Sequence, residues 1–409
     1  MNFEIIKNQV EPFKLFIYFY ILIFPLDLAN WMMSALSITL LIWWLVIGKQ
    51  KGYFIKLKEI LYNKPLVLFI LFILYAYLTF LWTDNTSQKY LHLYKYYWIM
   101  IPVIFTTLDK KDIKFAFYAL IFSFALYSIY SLLIFLGLFS FEYSNSLNPK
   151  GHIPYSTVTA YFAISTIFSF YFYLKEENRK LKYLLLFSAF VSFFALMVNN
   201  GRIGQLSFLG TLIILLFYYR KDLYKYKKSI AMFFIVIILG VSYLYSSNKL
   251  DRYKKGFDEL VYSYQNKEFV GSWGPRLFMW YVASEAIPKN LIFGAGGDYY
   301  GDILEYIKNN PNQLKHPTIG YHNQHLDYLA KYGIFGYAIC LLGIFVLLRQ
   351  LYTRDKEFYV VGIIFFSIVF INSLGNENLT GKPFNTVYAL VFILLAIIAK
   401  GKNKKLDSN

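Results

Sequence analysis

Residues 183–219 read YLLLFSAFVSFFALMVNNGRIGQLSFLGTLIILLFYY. Two apolar runs flank a short crossing whose one charge is Arg202, and each run approaches the roughly 20 residues that span a bilayer core. With no water in the hydrocarbon to satisfy backbone polar groups, such runs are helices, and turns and charges mark where they leave the membrane. Read outward from this pair, the chain divides into twelve expected spans: 13–30, 32–48, 65–82, 91–107, 115–138, 154–174, 183–200, 203–219, 229–246, 325–348, 358–374 and 384–400. The apolar stretch 13–48 would make a rod of about 54 Å as one helix, so it is broken near Pro25, Asp27 and Asn30.

Composition agrees with an all-α integral membrane protein. Of 409 residues, 57% are hydrophobic and only 16% charged, against about 25% charged in a typical soluble domain. The formal charge of +17, from 41 Lys and Arg against 24 Asp and Glu, raises the question of a nucleic-acid partner. The placement of those charges argues against one. Connections 49–64, 108–114, 175–182 and 220–228 carry five, three, four and five basic residues, 349–357 carries three and the tail 400–409 four. The alternate connections 83–90, 139–153, 201–202 and 375–383 carry one each. That asymmetry places both termini in the cytoplasm and explains the surplus charge by topology. No small-residue cleavage site follows Met1 to Lys14, so the first apolar stretch is expected to stay as an anchor. The single cysteine, Cys340, sits in an apolar stretch and excludes an intrachain disulfide.

One connection differs from the rest. Residues 247–324 run about 80 positions without a membrane-length apolar run. We expect a large loop on the outer face, with a helix near 249–267, a turn at 271–275, a helix over 276–286, a Gly-rich turn at 294–297 and a short helix over 302–308. The chain then divides into spans one to nine (1–246), a loop domain (247–324), and three further spans with a basic tail (325–409).

The chemistry-bearing residues gather on that face. His is rare, five in the chain, yet His316, His322 and His325 fall within ten residues. If His322 and His325 open the tenth span they share one helix face near Asp327, and three readings stand: a general base for a hydroxyl, a divalent metal site, or histidines hydrogen-bonded at a helix start. Arg202, in Asn199-Asn200-Gly201-Arg202-Ile203-Gly204, either snorkels or faces an inward cavity and binds an anion. The nearby glycines would let a ligand approach the backbone. Arg276 follows Pro275 at a helix start, where unpaired N–H groups and the dipole favour an anion; the alternative is a cation–π pair with Trp280. Gly294-Ala295-Gly296-Gly297 matches a phosphate loop in composition alone, and a tight turn accounts for it. The outer carboxylates Asp84, Glu285, Asp298 and Asp302 are not spaced for a glycosidase pair.

In order, these segments resemble the O-antigen ligase family. Asn200-Gly201-Arg202-Ile203-Gly204 resembles its Ser-Arg crossing, with Gly201 where the family usually has Ser. Pro275-Arg276-Leu277-Phe278-Met279-Trp280, running on to Phe293-Gly294-Ala295-Gly296, resembles its Arg-x-x-x-Trp helix and Gly-x-Gly turn. His322-Asn323-Gln324-His325-Leu326-Asp327-Tyr328-Leu329, then Tyr332-Gly333-Ile334-Phe335-Gly336, resembles its His-Asn-x-x-Leu stretch and the Gly-x-x-Gly beyond. The resemblance implies a periplasmic glycosyltransferase of the bacterial inner membrane, working in lipopolysaccharide biosynthesis. It would move a glycan from undecaprenyl pyrophosphate to a lipid A-core hydroxyl among membrane lipids, without nucleotide, cofactor or metal. The implied roles are donor pyrophosphate binding for Arg202 and Arg276 and general base for His322, with His325, Asn323 and Trp280 as accessory residues. An O-antigen polymerase, with another carrier-linked glycan as acceptor, is the alternative reading. A lipid-linked glycan transporter ranks below it, because the distinctive residues lie at the outer face rather than mid-membrane.

Overall fold

A computed structural model describes residues 11–29, 31–83, 89–141, 143–221, 251–309 and 320–400, with isolated positions between 235 and 246. All the regular elements among them are helical. We number the α-helices in chain order: α1 Pro12–Ile23, α2 Met32–Gly48, α3 Tyr53–Tyr62, α4 Lys64–Leu78, α5 Tyr97–Thr107, α6 Ile113–Phe135, α7 Tyr155–Lys175, α8 Arg179–Val198 and α9 Arg202–Tyr219. There follow α10 Asp251–Asn266, α11 Gly274–Ala286, α12 Tyr299–Asn309, α13 Gln324–Arg354, α14 Lys356–Ser373 and α15 Lys382–Ile398.

Seven helical segments among the described residues are long and apolar enough to cross a membrane: 64–82, 110–135, α7, α8, α9, α13 and α14. The count rises to eight if α2 and α3, bent by 109°, form one broken span. The sequence expectation of twelve is therefore met only in part. The stretch 13–30 shortens to α1 and a 3₁₀ turn that ends at Asp27 in a left-handed conformation, φ 45°. The stretch 91–107 divides into a 3₁₀ segment and the 11-residue α5, which holds Pro102. The basic connection 49–64 is not a plain loop, because α3 occupies it after a turn through Gly52 at φ 70°. Most of 229–246 lies outside the described residues, as do His316 and Asp84.

Polar side chains set the helix starts. Asn63, Asn178, Asn323 and Asp355 each accept from backbone N–H groups in the first turn of α4, α8, α13 and α14. At the centre stands α15, buried continuously from Phe384 to Ala399; beyond Asn385 and Thr386 it is apolar on every face, as a helix surrounded by others must be.

Ion pairs collect several basic connections at one end of the bundle. Lys14 pairs with Asp112 at 2.6 Å, Lys56 with Asp109 at 3.2 Å, Lys110 with Asp355 at 2.9 Å, Lys114 with Glu176 at 3.1 Å, and Lys400 with Glu59. At the opposite end the starts of α7 and α9 meet the 374–381 connection, α10 and the start of α11. The 291–298 turn docks on α13 where that helix breaks at Gly333, φ 63°. There Ala295 N donates to Ala330 O and Ile334 N to Leu291 O, at 2.7 and 2.8 Å, so the amide and carbonyl that the break frees are satisfied. A Cβ on Gly333 would lie 2.3 Å from Ile292 O, and one on Gly294 would lie 2.4 Å from Lys331 O. The Gly-rich turn thus serves close backbone packing.

Candidate active site

The crossing between α8 and α9 is held in place before any ligand is considered. Asn199 donates to Pro149 O at 3.2 Å and Asn200 to Leu147 O at 2.8 Å, which ties the turn to the 139–153 connection. Gln205 donates back to Leu196 O at 3.0 Å. Arg202, as the first residue of α9, therefore has a fixed origin. The glycines beside it do not admit a ligand as expected: a Cβ on Gly201 or on Gly204 would lie 2.3 Å from Thr159 Oγ1. They let α7 approach. A side chain at position 201 would have to displace Thr159.

Arg202 and Arg276 converge on one residue. Arg202 Nη2 donates to Ser272 Oγ at 2.7 Å, and Arg276 Nη1 donates to Ser272 O, while Arg276 Nε reaches Gly375 O at 3.4 Å. Both guanidinium groups line a cavity of about 190 Å³ with Asn148, Tyr155, Asn200, Trp273 and Asn376. The ring under Arg276 is Trp273, 5.5 Å from the guanidinium carbon, and not the Trp280 of the alternative reading. Helical side chains lean toward the N-terminus, so Arg276 reaches back to residues 272 and 273. The Trp280 Nε1 is buried and has no hydrogen-bond partner among the described residues.

His322 does not share a helix face with His325. Asn323 caps α13 by accepting from His325 N at 3.0 Å and Leu326 N at 3.3 Å, so the helix begins at Gln324. His322 precedes the cap at φ 50°, in left-handed backbone that is uncommon for residues other than glycine. Its N–H donates to the Glu377 carboxylate, which holds it there. His325 turns instead into the α13–α14 interface. Its Nε2 donates to Phe370 O at 3.2 Å, since a carbonyl only accepts, and its Nδ1 accepts from Tyr337 Oη at 2.6 Å. The pair diverges, which removes the geometric basis for metal binding by both.

The electrostatics suit a neutral imidazole at His322. Burial, and then the charge of Arg276, push its pKa below the usual value of 6.5. Glu377 moves the other way. Burial and the neighbouring Asp327 carboxylate push it up to about 8, against the opposing Lys331 charge. Asp327 and Lys331 form a buried pair at 2.7 Å, with Lys331 over the Tyr299 ring at 4.5 Å. Gln324 fastens this group to the connection: Gln324 N donates to Asn376 O at 3.1 Å, and Gln324 Oε1 accepts from Leu379 N at 2.9 Å. Gly375 and Glu377 are carried to Arg276 and His322 by those bonds.

Sequence reasoning missed Ser272, Glu259, Glu377 and the Gly375 carbonyl. Glu377 and Gly375 sat in a connection read only for its basic charge, and Glu259 on a loop helix to which no role was given.

Residues 187–341 match the model of a family described as O-antigen ligase. The matched stretch runs from α8 into α13 and contains Arg202, Arg276 and His322. No curated protein matches the chain.

Proposed function

We propose that this multi-pass membrane protein, whose residues 187–341 match the O-antigen ligase family model, joins an assembled glycan to a lipid A-core sugar. The donor is the glycan on undecaprenyl pyrophosphate. Arg202 and Arg276 hold its pyrophosphate, and the neutral His322 imidazole takes the proton of the acceptor hydroxyl. As that oxygen bonds to the anomeric carbon, the bond from carbon to phosphate oxygen breaks and undecaprenyl pyrophosphate leaves with its electron pair. Negative charge grows on the pyrophosphate during this step, so cations fixed beforehand in a partly dry site favour the transition state over the bound donor. Attack opposite the leaving group inverts the anomeric centre. The reaction balances without nucleotide, metal or cofactor.

The observation that carries the reading is the convergence of both arginines on Ser272, with Arg276 close enough to His322 to depress its pKa. The site lies at the bundle end opposite the ion-paired basic connections. By the positive-inside rule that end is periplasmic, the termini are cytoplasmic, and residues 247–324 form a periplasmic loop domain.

Deletion of the gene, followed by gel analysis of lipopolysaccharide, tests the acceptor. Loss of all glycan on lipid A core, with polymer accumulating on the carrier, is the expected result. A core bearing one repeat unit would instead identify an O-antigen polymerase. An unchanged ladder would overturn both.

A further inference from the structure

We infer that Glu259 and Ser272 are positioning residues that set the two guanidinium groups at the spacing the donor pyrophosphate requires; this rests on the proposed roles of Arg202 and Arg276.

Ser272 lies between the arginines and uses different atoms for each. Its hydroxyl oxygen accepts from Arg202 Nη2 at 2.7 Å, and its carbonyl accepts from Arg276 Nη1. The hydroxyl proton is directed elsewhere, to Glu259 Oε2 at 3.1 Å. The same carboxylate oxygen accepts from Ser272 N at 2.8 Å and Trp273 N at 3.4 Å. Glu259 therefore grips the backbone of the turn as well as the side chain. It is ionised to do so: burial alone would raise its pKa, but the hydrogen bonds from Ser272 and Trp273 hold it below the usual carboxylate range.

The surrounding packing leaves the turn little freedom. Gly271 sits at φ 75°, and a Cβ there would lie 2.2 Å from the Glu259 carboxylate carbon. One helical turn before Glu259, a Cβ on Gly256 would lie 2.6 Å from Arg202 Nη1 and 2.8 Å from the Trp273 ring. Tyr253, a further turn back, donates to Gln205 Oε1 on α9. One face of α10 thus meets Arg202, its support Gln205, and the turn that carries Trp273 beneath Arg276. Glu259 is placed to hold the turn rather than neutralise the anion site, because among the described residues its hydrogen bonds go to Ser272 and Trp273.

The test uses full-length protein in nanodiscs, undecaprenyl pyrophosphate as the binding probe, and glycan transfer from native lipid-linked donor as the activity. Glu259→Ala and Ser272→Ala should each weaken binding about tenfold, and transfer should fall by roughly ten- to a hundredfold. Glu259→Gln keeps an oxygen that accepts from the turn, so it should stay within about threefold of wild type. A carboxylate acting only through its charge predicts the opposite pattern, with both Glu259 variants binding the anion more tightly. That result, equal losses in the Ala and Gln variants, or wild-type behaviour of both Ala variants, overturns the inference. Glu268→Ala, which removes a loop carboxylate bonded to Tyr262, controls for charge and should change neither readout. Arg276→Ala separates the two levels: wild-type binding and transfer there defeats the anion site itself, whereas lost transfer beside an unaffected Glu259→Ala defeats only the positioning role. If Glu259→Ala fails to fold, Ser272→Ala and Glu259→Gln still decide the matter.

Discussion

Gly201→Ala asks whether the arginine crossing is set by helix packing. The new methyl would stand 2.3 Å from Thr159 Oγ1, 2.5 Å from its Cγ2 and 2.9 Å from its Cβ. Because φ at Gly201 is −80°, an L-residue fits the backbone and the penalty is purely steric. Overpacking of this kind destabilises by about 1–3 kcal/mol, and here it pushes α9 and Arg202 away from α7. Thr159→Ala removes the two closest atoms. Its hydroxyl bonds within its own helix, to Tyr155 O at 2.8 Å, so the truncation costs about 1 kcal/mol through lost packing alone. The double variant should recover most of the loss, a coupling of about 1–2 kcal/mol between touching sites. Gly204→Ala should not be rescued in this way, because its methyl meets the Thr159 Cβ, which Thr159→Ala keeps, at 2.4 Å, and the Thr159 backbone carbon at 2.9 Å. Thermal unfolding of purified protein in detergent, with transfer activity measured beside it, provides the double-mutant cycle. Additive losses for Gly201→Ala and Thr159→Ala, or equal rescue of Gly201→Ala and Gly204→Ala, would refute the argument.

Four further outcomes follow from the geometry. His325→Ala should lower thermal stability by about 1–3 kcal/mol, through its unpaired partners, yet keep measurable transfer; abolished transfer in a well-folded variant would return His325 to the chemistry. The acid limb of kcat/KM should fall below pH 6.5, since activity is lost as His322 becomes protonated and its pKa is depressed; a limb above 6.5 contradicts that role. Glu377 has a raised pKa in the folded protein, so its contribution to stability is complete below its unfolded value of 4.5 and lost as pH rises through about 8. Melting curves of wild type should decline relative to Glu377→Gln across that window, and parallel curves would exclude the shift. Gly333→Ala should reduce folded protein in membranes, because its Cβ meets Ile292 O at 2.3 Å on left-handed backbone; wild-type abundance and melting would show that the break in α13 is not tightly packed.

Hydropathy was enough to find α7, α8, α9 and α14 within a few residues, and the start of α13, which runs six residues beyond its expected end, because a membrane-length apolar run has few other folded outcomes. It was less reliable where local chemistry interrupts the run, as at Pro102 in α5 or at the bend between α2 and α3. The short helices of 251–309 were legible from their punctuation: Pro275 starts α11, and Gly294 to Gly297 close the turn before α12. Arg202, Arg276 and His322 stood out because charge and imidazole are scarce in this chain. Their supports did not. Ser272 reaches Arg202 across 70 positions, and Glu377 reaches His322 across 55, separations for which a single sequence has no periodic signal. Glycine announces close approach without saying of what, which is why Gly201 and Gly204 suggested a ligand when their neighbour is Thr159.

An experimental structure of the protein with a lipid-linked pyrophosphate donor reads the central claim directly. The account predicts the phosphates within about 3 Å of the Arg202 and Arg276 nitrogens, with His322 on the side of the attached sugar. Pyrophosphate density remote from both guanidinium groups, or a sugar lying away from His322, would contradict it.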